Sequence, residues 1–84
     1  MADLRVTRTG KDIYGDITAL CGSGWQVSKS DAIYHIEQRW HTYFVQDPYF
    51  RRADVRVING LTGKYLRTDP NSSCSDNLDT LPNC

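Results

Sequence analysis

Only one stretch of this chain carries a helical period, and it is flanked by segments that alternate or turn. Ala32, Ile33, Ile36 and Trp40 recur at three- and four-residue steps, while Lys29, Asp31, Glu37 and Gln38 hold the opposite side. The start is marked by Ser28-Lys29-Ser30-Asp31, a capping box in which Asp stands where Glu or Gln is usual. Val27 and Ala32 stand where a hydrophobic staple meets. The pattern predicts a helix from about Lys29 to Arg39, with no glycine to end it.

The rest reads as strands. Leu4-Arg5-Val6-Thr7-Arg8 alternates, Gly10 to Asp16 is a polar turn, and Ile17-Thr18-Ala19-Leu20-Cys21 returns as a second strand, most simply as an antiparallel hairpin. After the helix come Thr42-Tyr43-Phe44-Val45-Gln46, a break at Asp47-Pro48, and the clearly alternating Ala53-Asp54-Val55-Arg56-Val57-Ile58. A turn at Asn59–Gly63 leads to Lys64-Tyr65-Leu66-Arg67-Thr68. The expected fold class is α+β: a mostly antiparallel five-stranded sheet in the order β-β-α-β-β-β, with one helix packed on one face. At 84 residues this is expected to be one domain, 1–84. Its irregular tail, 69–84, carries Leu78 and Leu81 and is expected to fold back across the sheet or the helix.

Pleat geometry sorts the strand residues. With Leu4, Val6, Val55, Val57 and Leu66 turned to the helix, the open face shows Arg5, Asp54, Arg56, Tyr65 and Arg67. Tyr43 joins them if Phe44 faces the core. Rings and arginines on an open sheet are the ingredients of nucleotide or single-stranded nucleic acid recognition, although no RNP-type motif is present. The plainer reading is cross-strand pairing of arginine with Asp54 and threonine on a solvated surface.

Two other segments invite contact. Asp47-Pro48-Tyr49-Phe50-Arg51-Arg52 gathers in one loop the residue types enriched at interface hot spots, unless Tyr49 or Phe50 tucks under the sheet edge. Gly22-Ser23-Gly24 reads first as a plain glycine-enabled strand-to-helix corner and, as the weaker alternative, as an anion nest of N–H groups with Lys29 the only nearby cation. It is neither a Walker loop nor G-x-G-x-x-G.

Composition narrows the functional classes. Ten Lys and Arg balance ten Asp and Glu, which removes the overall field of a general DNA binder. The start, Met1-Ala2-Asp3-Leu4-Arg5, has no apolar h-region, and no run approaches a membrane span. The protein is expected to be cytoplasmic. The three cysteines lack C-x-x-C spacing. Cys21 reads as a small buried hydrophobe, and Cys74 and Cys84 as a pair that closes only in an oxidising compartment. His35 and His41 lack zinc-ligand spacing relative to the cysteines, so no metal is expected. Catalytic signals are poor. Pairing of Cys21 with His35 or His41 would need a reactive thiol, and Ser23 lacks the G-x-S-x-G frame. We expect no catalytic residue, no cofactor and no enzyme.

The order and spacing of these segments resemble a small bacterial family known only as domain of unknown function 3892. The resemblance rests on Ile17-Thr18-Ala19-Leu20-Cys21-Gly22, Trp25 before the Ser28 cap, Ala32-Ile33 and Ile36-Glu37. It continues in Tyr43-Phe44-Val45, Val55-Arg56-Val57, Lys64-Tyr65-Leu66-Arg67-Thr68, Asp76-Asn77-Leu78 and Leu81-Pro82-Asn83-Cys84. It implies that the Asp76–Cys84 segment belongs to the domain, and it supplies no activity or site residue. The expected function is a non-enzymatic interaction module, of a host or a phage, presenting Tyr49–Arg52 or the sheet face to another protein. The alternative is a binder of an anionic small molecule, nucleotide or single strand through Arg56, Tyr65, Arg67 and the Gly22–Gly24 corner. A homodimer through an exposed edge strand is a further expectation.

Overall fold

The computed structural model describes residues 2–69, 74 and 77–84. Its elements are β1 (Ala2–Arg5), β2 (Arg8–Lys11), β3 (Ile17–Gly22), β4 (Trp25–Ser28), α1 (Lys29–Glu37), β5 (His41–Gln46), β6 (Arg52–Gly60) and β7 (Gly63–Thr68). A four-stranded sheet runs β1-β5-β6-β7 and a three-stranded sheet runs β2-β3-β4. β1 lies parallel to β5, and the other pairs are antiparallel. The expected single five-stranded sheet is thus corrected to seven strands in two sheets, one of them mixed.

Two local features produce the difference. Residues 4–8 alternate as one strand would, but the chain changes partner midway: Val6 N donates to Phe44 O in the first sheet at 2.8 Å, and Thr7 N to Cys21 O in the second at 2.9 Å, with Gly10 and Lys11, expected in a turn, continuing β2. The expected Leu4–Arg8 strand is therefore divided between two sheets. The other feature is Trp25–Ser28, a strand of four residues that pairs back on β3 through Gly22↔Trp25 and Cys21↔Gln26. Gly22-Ser23-Gly24 accordingly joins two strands rather than a strand and a helix, with Gly24 in the left-handed conformation (φ 77°) that glycine adopts without strain. This corrects the geometry on which the anion nest was expected. The helix N-terminus lies further on, where Ser28 Oγ accepts the Asp31 N–H at 3.2 Å, a cap of the kind that contributes about 1 kcal/mol.

α1 begins where the capping box places it and ends two residues early, at Glu37 rather than Arg39. Gln38 caps it, and Arg39 takes the left-handed conformation (φ 58°) that glycine more often supplies at a helix end. Trp40 therefore falls beyond the helix and is 55% exposed, not on its apolar face. Ala32 and Ile33, with Ile36 partly buried, meet Leu20, Tyr43, Val45, Val55 and Leu66 in one cluster that draws on both sheets.

Leu78 is buried in that same cluster and Leu81 packs against it. Thr9, fully buried, holds this last segment: its N–H donates to Pro82 O and its carbonyl accepts the Cys84 N–H, both at 3.0 Å. Its hydroxyl donates to Leu78 O at 3.3 Å. Cys21 is buried as expected, but it is bonded to Cys84, while Cys74 is free. That corrects the reading of Cys21 as an unbonded hydrophobe, and the Cys74–Cys84 pair left open for an oxidising compartment is not the one formed. Of the tail expected to pack back, and of the family resemblance at Asp76, residues 70–73, 75 and 76 lie outside the described residues.

Candidate functional site

The connection between β5 and β6 is built around one carboxylate. Asp47 is buried, and its Oδ1 accepts the N–H groups of Tyr49 and Arg51 at 2.9 and 3.0 Å. Its Oδ2 accepts Arg51 Nε at 2.8 Å. Phe50 N donates to Asp47 O, and Gln46 Nε2 donates to Phe50 O. The loop is thereby closed on itself, and two rings stand outside it: Tyr49 is 75% exposed and Phe50 83%. Neither ring tucks under the sheet edge. Phe50 holds φ at 65°, a conformation uncommon for a non-glycine residue and more so for a bulky one. Arg51 lies over Tyr49, its Cζ 5.2 Å from the ring centre, within cation–π range.

Arg52, expected to join this loop, belongs instead to the outer face of the four-stranded sheet. Its Cζ sits 4.0 Å above the Phe44 ring, and its guanidinium reaches Asp3 at 2.9 and 3.2 Å and Asp54 at 2.9 Å. The hydrogen bond from Arg52 pulls the Asp3 carboxyl below its ordinary pKa, against the opposing effect of burial; the Thr42 hydroxyl and the Arg52 charge add to the lowering. Phe44 faces outward and Tyr43 inward, 2% exposed, so Tyr43 does not join the open face.

The remaining face residues stand where alternation places them. Arg5, Arg56, Tyr65 and Arg67 are all exposed. Arg5 donates to Gln46 O at 3.2 Å, and Arg56 approaches Asp69 at 3.5 Å. Arg56 and Arg67 are directly opposite in the β6–β7 register, and Ile58 faces Tyr65 in the same ladder. Gly22 ends β3 and Ser23-Gly24 turn into β4, so this corner belongs with the other sheet.

Three arrangements have no local signature in the chain. β5 and β6 pair only through Phe44–Gln46 and Arg52–Asp54, although both strands continue. Where the ladder stops, a cleft of about 420 Å³ opens between them. A second cavity, about 640 Å³, runs beside β7, whose outer edge carries no strand among the described residues. At the junction of α1 and β5, His35 Nδ1 lies 2.8 Å from the Tyr43 hydroxyl, and the His35 and His41 rings are 5.1 Å apart. Burial, with the Asp31 charge adding, raises the Tyr43 pKa. Cys21, in its disulfide, offers no thiol to either histidine. Among the described residues no three His, Cys, Asp or Glu side chains come together as a metal site would need, and no helix is long and apolar enough to cross a membrane.

The fold and its exposed features therefore define a small α+β protein with a ring-bearing hairpin loop and an open arginine-rich sheet face. Residues 5–82 match the family described as Protein of unknown function (DUF3892), and the chain belongs to that family. No curated protein and no solved structure matches it. The family assigns no activity to any of the residues above.

Proposed function

We propose that this protein is a non-enzymatic interaction module that docks the Tyr49–Phe50 loop onto another protein. The observation that carries this reading is Phe50. Its backbone is held in a conformation unfavourable for phenylalanine, while its ring makes no use of the interior. A buried carboxylate organises the loop, so the rings are presented on a fixed platform, and little ordering is left for a partner to impose. Arg51 beside Tyr49 supplies the cationic member of a hot-spot cluster.

The test is crosslinking from a photoreactive residue at position 49, with Phe50→Gly as its comparison. Loss of specific crosslinked species in Phe50→Gly, with the fold intact, supports the reading; an unchanged set overturns it. A homodimer would use a sheet edge such as β7, and crosslinking between two copies through β7 would separate that contact from the loop. A cytoplasmic location is part of this proposal, and the redox state of Cys21 and Cys84 in the source cell tests it.

A further inference from the structure

We propose that the gap between β5 and β6 binds a small molecule made of one anionic head and a flat apolar body. Antiparallel neighbours normally stay hydrogen-bonded along their shared length, yet here the ladder stops after three residue pairs. Residues from both faces of the sheet line the gap. Asp3, Thr42, Arg52 and Arg56 line it from the outer face, and Ile36 and Tyr43 from the helix side. Its volume, about 420 Å³, falls within the range of small-ligand sites, about 300–1,000 Å³.

The charges at the mouth are of two kinds. Asp3 and Asp54 are both engaged by Arg52, and Glu37 is engaged by Lys64 at 2.6 Å. These groups have little left to offer a ligand. Arg56 differs: across β6 and β7 it faces Arg67, which lines the β7 cavity rather than the gap, and this like-charge pairing disfavours the sheet. Arg67 forms no ion pair or side-chain hydrogen bond among the described residues, and Arg56 has only the 3.5 Å approach to Asp69. A carboxylate, sulfonate or phosphate set over Arg56 would fill those donors and remove the repulsion. Its body would enter the gap against Tyr43, Ile36, Val55 and Val57. This site is separate from the Tyr49–Phe50 loop and does not depend on the loop's role.

The probe is anilinonaphthalene sulfonate, titrated into the folded protein with fluorescence and amide chemical shifts as readouts. We expect saturable binding with shifts at Thr42, Tyr43, Val55, Arg56 and Val57. The double variant Arg56→Gln/Arg67→Gln, both exposed positions, is expected to keep its dispersed spectrum and bind at least about tenfold more weakly. Neutral phenylnaphthylamine is expected to lose a similar factor. Adenosine monophosphate in a parallel titration separates a nucleotide from a simple aryl anion as the kind of ligand accepted. Shifts centred on Tyr49–Phe50 or along the β7 cavity, equal binding by the double variant or by the neutral probe, or no saturation by either anion would overturn the proposal. Phe50→Gly is expected to leave this binding unchanged.

Discussion

Cys21 and Cys84 are joined by a disulfide across 63 positions of sequence, which fastens residues 77–84 to β3 and beside β2. The bond closes a loop that contains β4, α1, β5, β6 and β7. It also stands next to the Thr9 hydrogen bonds and keeps Leu78 and Leu81 against the core. A domain of this size buries only about 60% of the surface its unfolded chain exposes, so a cross-link of this span carries an unusually large share of the stability.

Cys84→Ser is accordingly expected to destabilise the protein by about 2–4 kcal/mol, near the chain-entropy value for so long a loop. For a domain of this size that is a fall in Tm of about 10–25 °C. Cys74→Ser is expected to have little effect. Thermal unfolding with and without reductant checks both, and a wild-type Tm indifferent to reductant would refute the cross-link's role. Alkylation of the protein as it exists in the source cell then reads its compartment, because a glutathione-buffered cytoplasm holds most such pairs as thiols.

The helix and the faces of the strands were legible because they depend on local period. Ser28 caps where its motif predicts, and Arg56, Tyr65 and Arg67 point outward as alternation requires. What alternation cannot carry is the identity of the partner strand. The change of partner at Val6 and Thr7, the parallel β1–β5 pairing and the early end of the β5–β6 ladder are all long-range choices. The same holds for the cysteines. Three cysteines without C-x-x-C spacing read as a poor disulfide framework, open at most to Cys74 with Cys84, whereas the Thr9↔Asn83 bridge brings Cys84 beside Cys21. Within the candidate loop, residue types identified Tyr49 and Phe50, but nothing in them separated Arg51, which stays with the loop, from Arg52, which lies over Phe44.

Arg52 and Asp3 give a pH dependence of defined sign. The folded Asp3 has its pKa depressed by the Arg52 hydrogen bond, so the stability it contributes is complete above the unfolded carboxylate value of about 3.9. It is lost as pH falls through the lower, folded value. Arg52→Gln is expected to flatten that part of the acid limb. At neutral pH it is expected to cost under about 1 kcal/mol, because both side chains are close to half exposed. Tm measured between about pH 2 and pH 7 checks this; parallel acid limbs for the two proteins would contradict it.

Gly22 is the position where the second sheet tolerates no side chain. A Cβ there would overlap the Trp25 indole, which packs beside Tyr43 with ring centres 5.6 Å apart. Gly22→Ala is expected to push Trp25 from that seat and destabilise by about 1–3 kcal/mol, as overpacking does. Chemical denaturation gives the stability loss and near-UV circular dichroism follows the indole. Retention of the native near-UV signal would show that the ring can yield without cost.

Phe50→Gly separates a structural aromatic from a presented one by the sign of its effect. If the ring supported the core, its removal would cost several kcal/mol, since burying a phenylalanine contributes about 1.5–3 kcal/mol before any cavity is counted. With the ring 83% exposed, that loss is small. Glycine adopts the left-handed backbone at φ 65° without the strain that phenylalanine bears there, which is worth about 1 kcal/mol or more in the folded state. Against this stands the greater freedom of glycine in the unfolded chain, about 0.5–1 kcal/mol. The balance predicts a variant as stable as the parent or slightly more so, with Asp47 still closing the loop, and with partner capture lost. A large fall in Tm would assign Phe50 to the fold and take away the observation on which the docking role depends.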